Sequence, residues 1–240
     1  MQNKLSKFDK WVIFLFTASI IVMIIFHYLP PLEYLKYSYY RNNNPFKEET
    51  IPMWYIYTFY IIVPCILFGI VFILKDFTYK NVFLIVFFYL FTHSAITCTC
   101  EVLKILVGEK RPDFLARCKP LGGTCTGIKK EITEGKKSFP SGHTASAFGG
   151  SVFFIFTLHT FILKNSVNKF VNITITFLIG FVLLSLSSYV GYTRIIDNRH
   201  FLHDVIGGGI IGSTYAIVNY SIIEDKISNR RQEVERNPEV

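Results

Sequence analysis

Residues 82–112 read VFLIVFFYLFTHSAITCTCEVLKILVGEKRP. From Val82 to Val107 the apolar residues arrive as a block and not at amphipathic spacing. The block is long enough to cross a hydrocarbon core of about 30 Å, which takes about 20 helical residues. Charge enters only at its end, with Glu101 and Lys104 followed by Arg111 and Pro112. Ionisable side chains beside a membrane helix are costly, and they are functional candidates by default.

Outward from this stretch the same pattern recurs at Trp11–Leu29, Met53–Leu74, Gly142–Leu163, Phe170–Val190 and His203–Ile223. Half of the chain is hydrophobic (51% of 240 residues, with 24 Phe and 14 Tyr), which argues against a water-soluble domain. Trp11, His27-Tyr28, Trp54 and Tyr55 sit at block ends, where amphipathic rings settle at the headgroup level. Backbone groups inside lipid must be paired within the chain, so each block is expected to be a helix. The fold class that follows is all-α: a polytopic membrane protein with six transmembrane helices and its active site at one membrane face. The first block is too long, and too poor in small residues at its end, for a cleaved signal peptide, and reads as retained. Neither a repeat nor a second domain is visible, so residues 1–240 read as a single domain with polar tails at 1–10 and 224–240. The segment Ile227–Val240 is charged enough to be expected disordered.

An even number of spans places both termini on one side. The segments on that side carry 11 Lys or Arg in 40 residues, against 13 in 69 on the other. The denser side is expected to be cytoplasmic, which puts the opposite loops in the lumen of the endoplasmic reticulum or outside the plasma membrane. The net charge of +8 is spread over membrane-flanking loops without a basic stripe or recognition module, which excludes nucleic-acid binding. Cys65, Cys98 and Cys100 lie inside spans and read as packing residues. Cys118 and Cys125 share the long loop Gly108–Ser141, which also carries eight Lys or Arg, and a disulfide between them is feasible on a non-cytoplasmic face. Two Asn-x-Ser/Thr sequons, at Asn172 and Asn219, fall at or inside spans and read as chance matches.

Three polar clusters stand at helix ends that six spans would bring to one face: Glu101 to Pro112, Ser138 to His143, and Thr193 to Asp204. Their chemistry suggests phosphoryl transfer. Lys104, Arg111 and Arg194 supply positive charge, and Arg forks onto phosphate oxygens with paired hydrogen bonds. Pro140-Ser141-Gly142-His143 opens a helix, where free N–H groups and the macrodipole favour an anion and Gly142 permits close approach. His200 and Asp204 are four apart, on one face if the sixth helix begins that early, so the carboxylate can hold one imidazole nitrogen protonated while the other attacks phosphorus. His143, arriving from another helix, can protonate the leaving oxygen. His203 competes for the nucleophile's role, but helical neighbours point about 100° apart, so Asp204 reaches His200 more easily. His27, His93 and His159 match no motif and read as packing or interfacial residues. Three cationic side chains already cover the phosphate, and no cluster of carboxylates or His able to hold two ions is visible, so neither metal nor cofactor is expected.

The patterns Lys104-x6-Arg111-Pro112, Pro140-Ser141-Gly142-His143 and Arg194-x5-His200-x3-Asp204 resemble the three signature motifs of the type 2 phosphatidic acid phosphatase superfamily, the lipid phosphate phosphatases. The stretches from Arg111 to Cys118 and from Ser138 to His143 are similar to its eukaryotic lipid phosphatase branch. The resemblance implies metal-independent dephosphorylation through a phosphohistidine, with His200 as nucleophile, Asp204 as its partner and His143 as acid. It implies phosphate binding by Lys104, Arg111, Ser141, Gly142 and Arg194, and lipid phosphates of the bilayer as substrates: phosphatidate, lysophosphatidate and diacylglycerol pyrophosphate. Isoprenoid diphosphates, sphingoid phosphates and sugar phosphates are the alternative within the class. The departure is Thr193, where the family usually has Ser; a hydroxyl is kept, and an active enzyme is expected. A transporter would more typically show broken helices or repeats at the midplane, and a non-catalytic scaffold would be expected to lose the nucleophile or a phosphate ligand.

Overall fold

The computed structural model describes residues 7–32, 39–74, 79–164 and 167–236. Helix α1 (Lys7–Tyr28) and the short α2 (Tyr39–Asn42) precede α3 (Met53–Tyr57), which runs through a π-helical turn (Thr58–Ile62) into α4 (Val63–Leu74). Helix α5 (Tyr79–Val107) is followed by α6 (Phe114–Cys118), an antiparallel pair of strands β1 (Pro120–Leu121) and β2 (Thr124–Cys125), and α7 (Lys129–Glu134). Helix α8 (Gly142–Thr157) continues into a second π-helical turn (Leu158–Leu163), and α9 (Lys169–Ile196) and α10 (Leu202–Arg236) follow. Six of these rods are long and apolar enough to cross a membrane: Lys10–Tyr28, Met53–Val71, Tyr79–Val107, Gly142–Leu163, Lys169–Ile196 and Leu202–Arg230. The chain is a multi-pass, mostly helical membrane protein.

The bundle's surface and interior match that solvent. Phe177 and Phe181 on α9 are 70% and 66% exposed, while Thr92, Ser151, Ser187 and Asn219 are buried. Several of these buried polar groups find partners across helices. Ser187 Oγ lies 2.9 Å from Ser151 Oγ, and Asn219 Nδ2 donates to Thr92 Oγ1 at 3.1 Å. Asn172 and Asn219, the two sequon residues, are both buried within helices. The π-helical turn in the second span has an identifiable cause. Pro64 has no N–H to give the carbonyl four residues back, that of Tyr60, and Tyr89 Oη supplies the missing donor at 2.6 Å.

Close packing of α8 on α10 positions the functional end of the bundle. A Cβ on Gly208 would lie 2.5 Å from Ser141 O, and one on Gly212 would lie 2.1 Å from Ala145 O. Small residues one turn apart let the two backbones touch where lipid supplies no hydrophobic drive.

One expectation about order is corrected. The segment expected to be a disordered tail is helical as far as Arg236, because its apolar stripe continues: Ile223 and Ile227 are buried, and Arg230 Nη1 donates to Asn81 Oδ1 at 3.3 Å. The long loop Gly108–Ser141 carries α6, the strand pair and α7, and Cys118 is bonded to Cys125 across it.

Candidate active site

Lys104 occupies the last turn of α5, Gly142 and His143 open α8, Arg194 closes α9, and His200 lies in the connection to α10. With Arg111 these side chains line a single cavity of about 630 Å³. Met23, Ile24 and Tyr28 of α1 and Met53 and Tyr57 of α3 line it as well. Ser141 and Asp204 do not line the cavity; both stand fully buried behind it.

Each cation has a partner in the fold. Lys104 Nζ donates to Glu101 Oε1 at 2.6 Å. Arg194 Nη2 donates to Asp197 Oδ2 at 3.0 Å, and its Nε and Nη2 also reach Thr193 Oγ1 at 3.3 and 3.2 Å. The hydroxyl kept at Thr193 therefore aims the guanidinium. Arg111 Nη2 reaches Lys137 O at 3.4 Å, while its buried Nε has no hydrogen-bond partner among the described residues. At Gly142 a Cβ would meet only Lys104 Nζ, at 3.7 Å, so the helix opening is bare toward the cavity. Ser141 is the N-cap of α8: its Oγ accepts from Thr144 N at 3.5 Å, and its own N–H donates to Asp204 O at 3.0 Å.

The histidine pairing arises differently from its sequence rationale. Helix α10 begins at Leu202, so His200 precedes it and shares no helical face with Asp204. Asp204 instead folds back over the helix opening, where its Oδ2 accepts from Phe201 N at 2.8 Å, as in a capping box, and from Ser138 Oγ at 2.6 Å. That places Oδ2 3.4 Å from His200 Nδ1, a charge contact rather than an aligned hydrogen bond. Burial pushes the His200 imidazole down to about 4; Asp204 opposes that shift, and Arg111 and Lys104 add to it. The ring is therefore neutral at physiological pH, as a nucleophile must be. His203 points elsewhere. It is half exposed, it stacks on Phe201, and its Nε2 lies 3.0 Å from Glu109 Oε2 and 3.1 Å from Asp204 Oδ1. Glu109, His203 and Asp204 bring three ligand-type atoms within 4.8 Å of one another, a grouping their sequence separation hides, and Arg41 Nη2 already holds Glu109 at 2.5 Å.

Residues 82–228, which span all of these motifs, match the PAP2 superfamily. The chain belongs to that superfamily. Its similar relatives include "Lipid phosphate phosphatase 1" of Arabidopsis thaliana, 32% identical over 73% of this chain and 55% of that protein. "Probable diacylglycerol pyrophosphate phosphatase 1" of Schizosaccharomyces pombe is 35% identical over 53% of this chain and 50% of its own length. "Phospholipid phosphatase 2" of Rattus norvegicus is 29% identical over 62% and 59%. The chain thus covers less than two thirds of the length of each. No solved structure matches it.

This PAP2 site also holds residues that its motifs do not name. Glu49, Arg117, Glu134 and Arg199 line the cavity. His27, read from sequence as a packing or interfacial residue, lines it too, with Nδ1 3.2 Å from Glu101 Oε2. Position gave a usable signal for two of them: the end of the first span and the start of the second lie at the same membrane end as the motifs, so polar residues there are within reach. His93 and His159 lie outside the cavity, buried beside Tyr89 and facing Thr176 respectively.

Proposed function

We propose that this PAP2 chain is a membrane enzyme that hydrolyses lipid phosphates without metal, through a phosphohistidine on His200. The observation that carries the reading is one cavity lined both by cations, Lys104, Arg111 and Arg194, and by apolar and aromatic side chains, Met23, Ile24, Met53 and Tyr57, which suits a molecule that is phosphate at one tip and hydrocarbon at the other. The names of the plant, yeast and mammalian relatives point the same way.

In the first step His200 Nε2 attacks phosphorus and the bond to the lipid oxygen breaks. His143 gives its proton to that oxygen, so the lipid leaves as an alcohol, or as a phosphate ester from a diphosphate. Asp204 faces Nδ1 and stabilises the positive charge that develops on the ring. Lys104, Arg111, Arg194 and the free N–H groups that open α8 take the equatorial oxygens, replacing the charge neutralisation a metal would supply. In the second step water attacks phosphorus while His143 accepts its proton, the P–N bond breaks, and inorganic phosphate leaves. Phosphatidate, lysophosphatidate and diacylglycerol pyrophosphate are the substrates this reading favours.

The decisive experiment is rapid-quench trapping of acid-labile, base-stable phosphoenzyme from a lipid phosphate in micelles that contain excess chelator. The label should map to His200 and vanish in His200→Ala. Phosphate on His143 or His203, or turnover that requires added magnesium, would refute the mechanism. We further infer that the site faces the lumen or cell exterior and the termini the cytoplasm. The basic-residue count and the Cys118–Cys125 bond support this. Labelling a tag near Lys130 from the cytoplasmic side of sealed vesicles would overturn that orientation.

A further inference from the structure

The mechanism above uses no carboxylate inside the cavity, yet Glu49 stands among its cations. Oε2 lies 3.7 Å from Arg194 Nη1 and 3.9 Å from His143 Nε2, and Oε1 lies 3.8 Å from Arg199 Nε. The segment carrying it is fastened on both sides. Thr50 binds Asp197 through N at 2.9 Å and Oγ1 at 2.7 Å, and the same Asp197 holds Arg194. Lys47 O accepts from Arg199 Nη2 at 2.7 Å, and Lys47 Nζ donates to Ile196 O at 2.8 Å. Its neighbours are therefore laced to the α9–α10 connection, while Glu49 itself makes charge contacts longer than hydrogen bonds and keeps 31% of its side chain exposed. A carboxylate so placed attracts the guanidinium groups without a hydrogen bond to hold it there, so a competing anion can displace it.

We propose that Glu49 is an internal counter-anion that competes with phosphate for Arg194 and Arg199, so that the site holds free inorganic phosphate weakly while still accepting phosphate attached to a lipid. A lipid brings hydrocarbon contacts at Met23, Ile24, Met53 and Tyr57 that offset this competition. The released product has none, and departs. The inference rests on the phosphatase reading of the cavity.

The test measures inorganic phosphate and vanadate binding to purified enzyme in micelles, by phosphorus NMR titration and by competitive inhibition. Glu49→Gln removes the charge and keeps the shape, and should bind both anions about 10-fold more tightly or better. Glu49→Asp should stay near wild type. Structural damage weakens binding, so a gain in affinity cannot come from it; unchanged or weaker binding in folded Glu49→Gln overturns the proposal. A second measurement needs no variant: carbodiimide labelling of Glu49 in the wild-type enzyme should rise as inorganic phosphate is added, because the displaced carboxylate faces water. Constant or falling labelling at saturating phosphate also overturns it. If wild type binds phosphate but Glu49→Gln gains nothing, only this inference fails. If neither protein binds phosphate or vanadate, the phosphatase reading falls as well.

Discussion

Replacing Gly212 by alanine should cripple the enzyme without touching any residue that meets substrate. The new Cβ would lie 2.1 Å from Ala145 O and 2.9 Å from Gly149 N, both backbone atoms of α8 that cannot rotate away. Real Cβ contacts stay beyond 3.0 Å, so α10 must part from α8 by about 1 Å at this level. These two helices hold the reacting groups against one another: α8 opens with Gly142 and His143, and the start of α10 carries Asp204, tied back through Ser141 N–H to Asp204 O at 3.0 Å and Ser138 Oγ to Asp204 Oδ2 at 2.6 Å. A misplacement of about 1 Å in a catalytic constellation costs about 10²-fold in rate. Gly209→Ala is the matched control, because its Cβ would meet nothing nearer than Phe148 Cδ2 at 3.7 Å. Alanine favours a helix over glycine by about 1 kcal/mol, so the control should unfold at an equal or higher temperature, whereas Gly212→Ala should unfold lower. The assay is phosphate release from a lipid phosphate in micelles, with thermal unfolding of each variant alongside. Gly212→Ala that stays folded and within about threefold of Gly209→Ala would refute the claim that the α8–α10 seam sets the geometry of the site.

Two further outcomes follow from the histidines. Because burial pushes His200 down to about 4, the neutral nucleophile persists well below the ordinary imidazole value. Activity should therefore be present above that pH and be lost only as pH falls through it. The acid limb of kcat/KM, corrected for the substrate's own second ionisation, should lie well under 6.5; a limb at or above 6.5 would contradict the burial argument. His143→Ala should slow a lipid phosphate, whose alkoxide needs a proton, by about 10²–10⁴, and slow phosphoenzyme formation from an aryl phosphate much less. Equal losses on both substrates would remove His143 from the role of acid.

The membrane architecture was legible because hydrocarbon imposes a length and a composition that blocks such as Val82–Val107 display openly. The motif cations and histidines were legible because lipid makes charge rare, so each exception at a helix end stands out. What escaped has physical reasons. Glu49 and His27 lie near span ends where polar residues are ordinary; their position put them within reach of the motifs, and the fold shows that they line the cavity. The α8–α10 seam was invisible as a functional feature because glycines at Gly208 and Gly212 look like poor helix formers until the partner backbone is in place. The His200–Asp204 pair was anticipated from a four-residue spacing, but the structure builds it from a cap at the start of α10, since the helix begins two residues after His200.

The same local spacing explains how buried cations are tolerated at all. Taking a guanidinium or ammonium out of water costs several kcal/mol unless it is paired and hydrogen-bonded. Lys104 finds Glu101 three residues before it on α5, and Arg194 finds Asp197 three residues after it, at the end of α9. Arg117 finds Asp113 four residues back, with Nε and Nη2 engaged at 2.9 and 2.8 Å. Partners this close in sequence are in place as soon as the helix end forms, so these three cations do not wait on long-range packing. Asp197 lies outside the cavity lining, whereas Glu101 lines the cavity beside the Lys104 ammonium. An ammonium has three N–H donors and a guanidinium five, so each cation keeps donors to spare for phosphate and is held in place before substrate arrives. Such preorganisation is what allows fixed charges to stabilise a transition state instead of relaxing around the ground state.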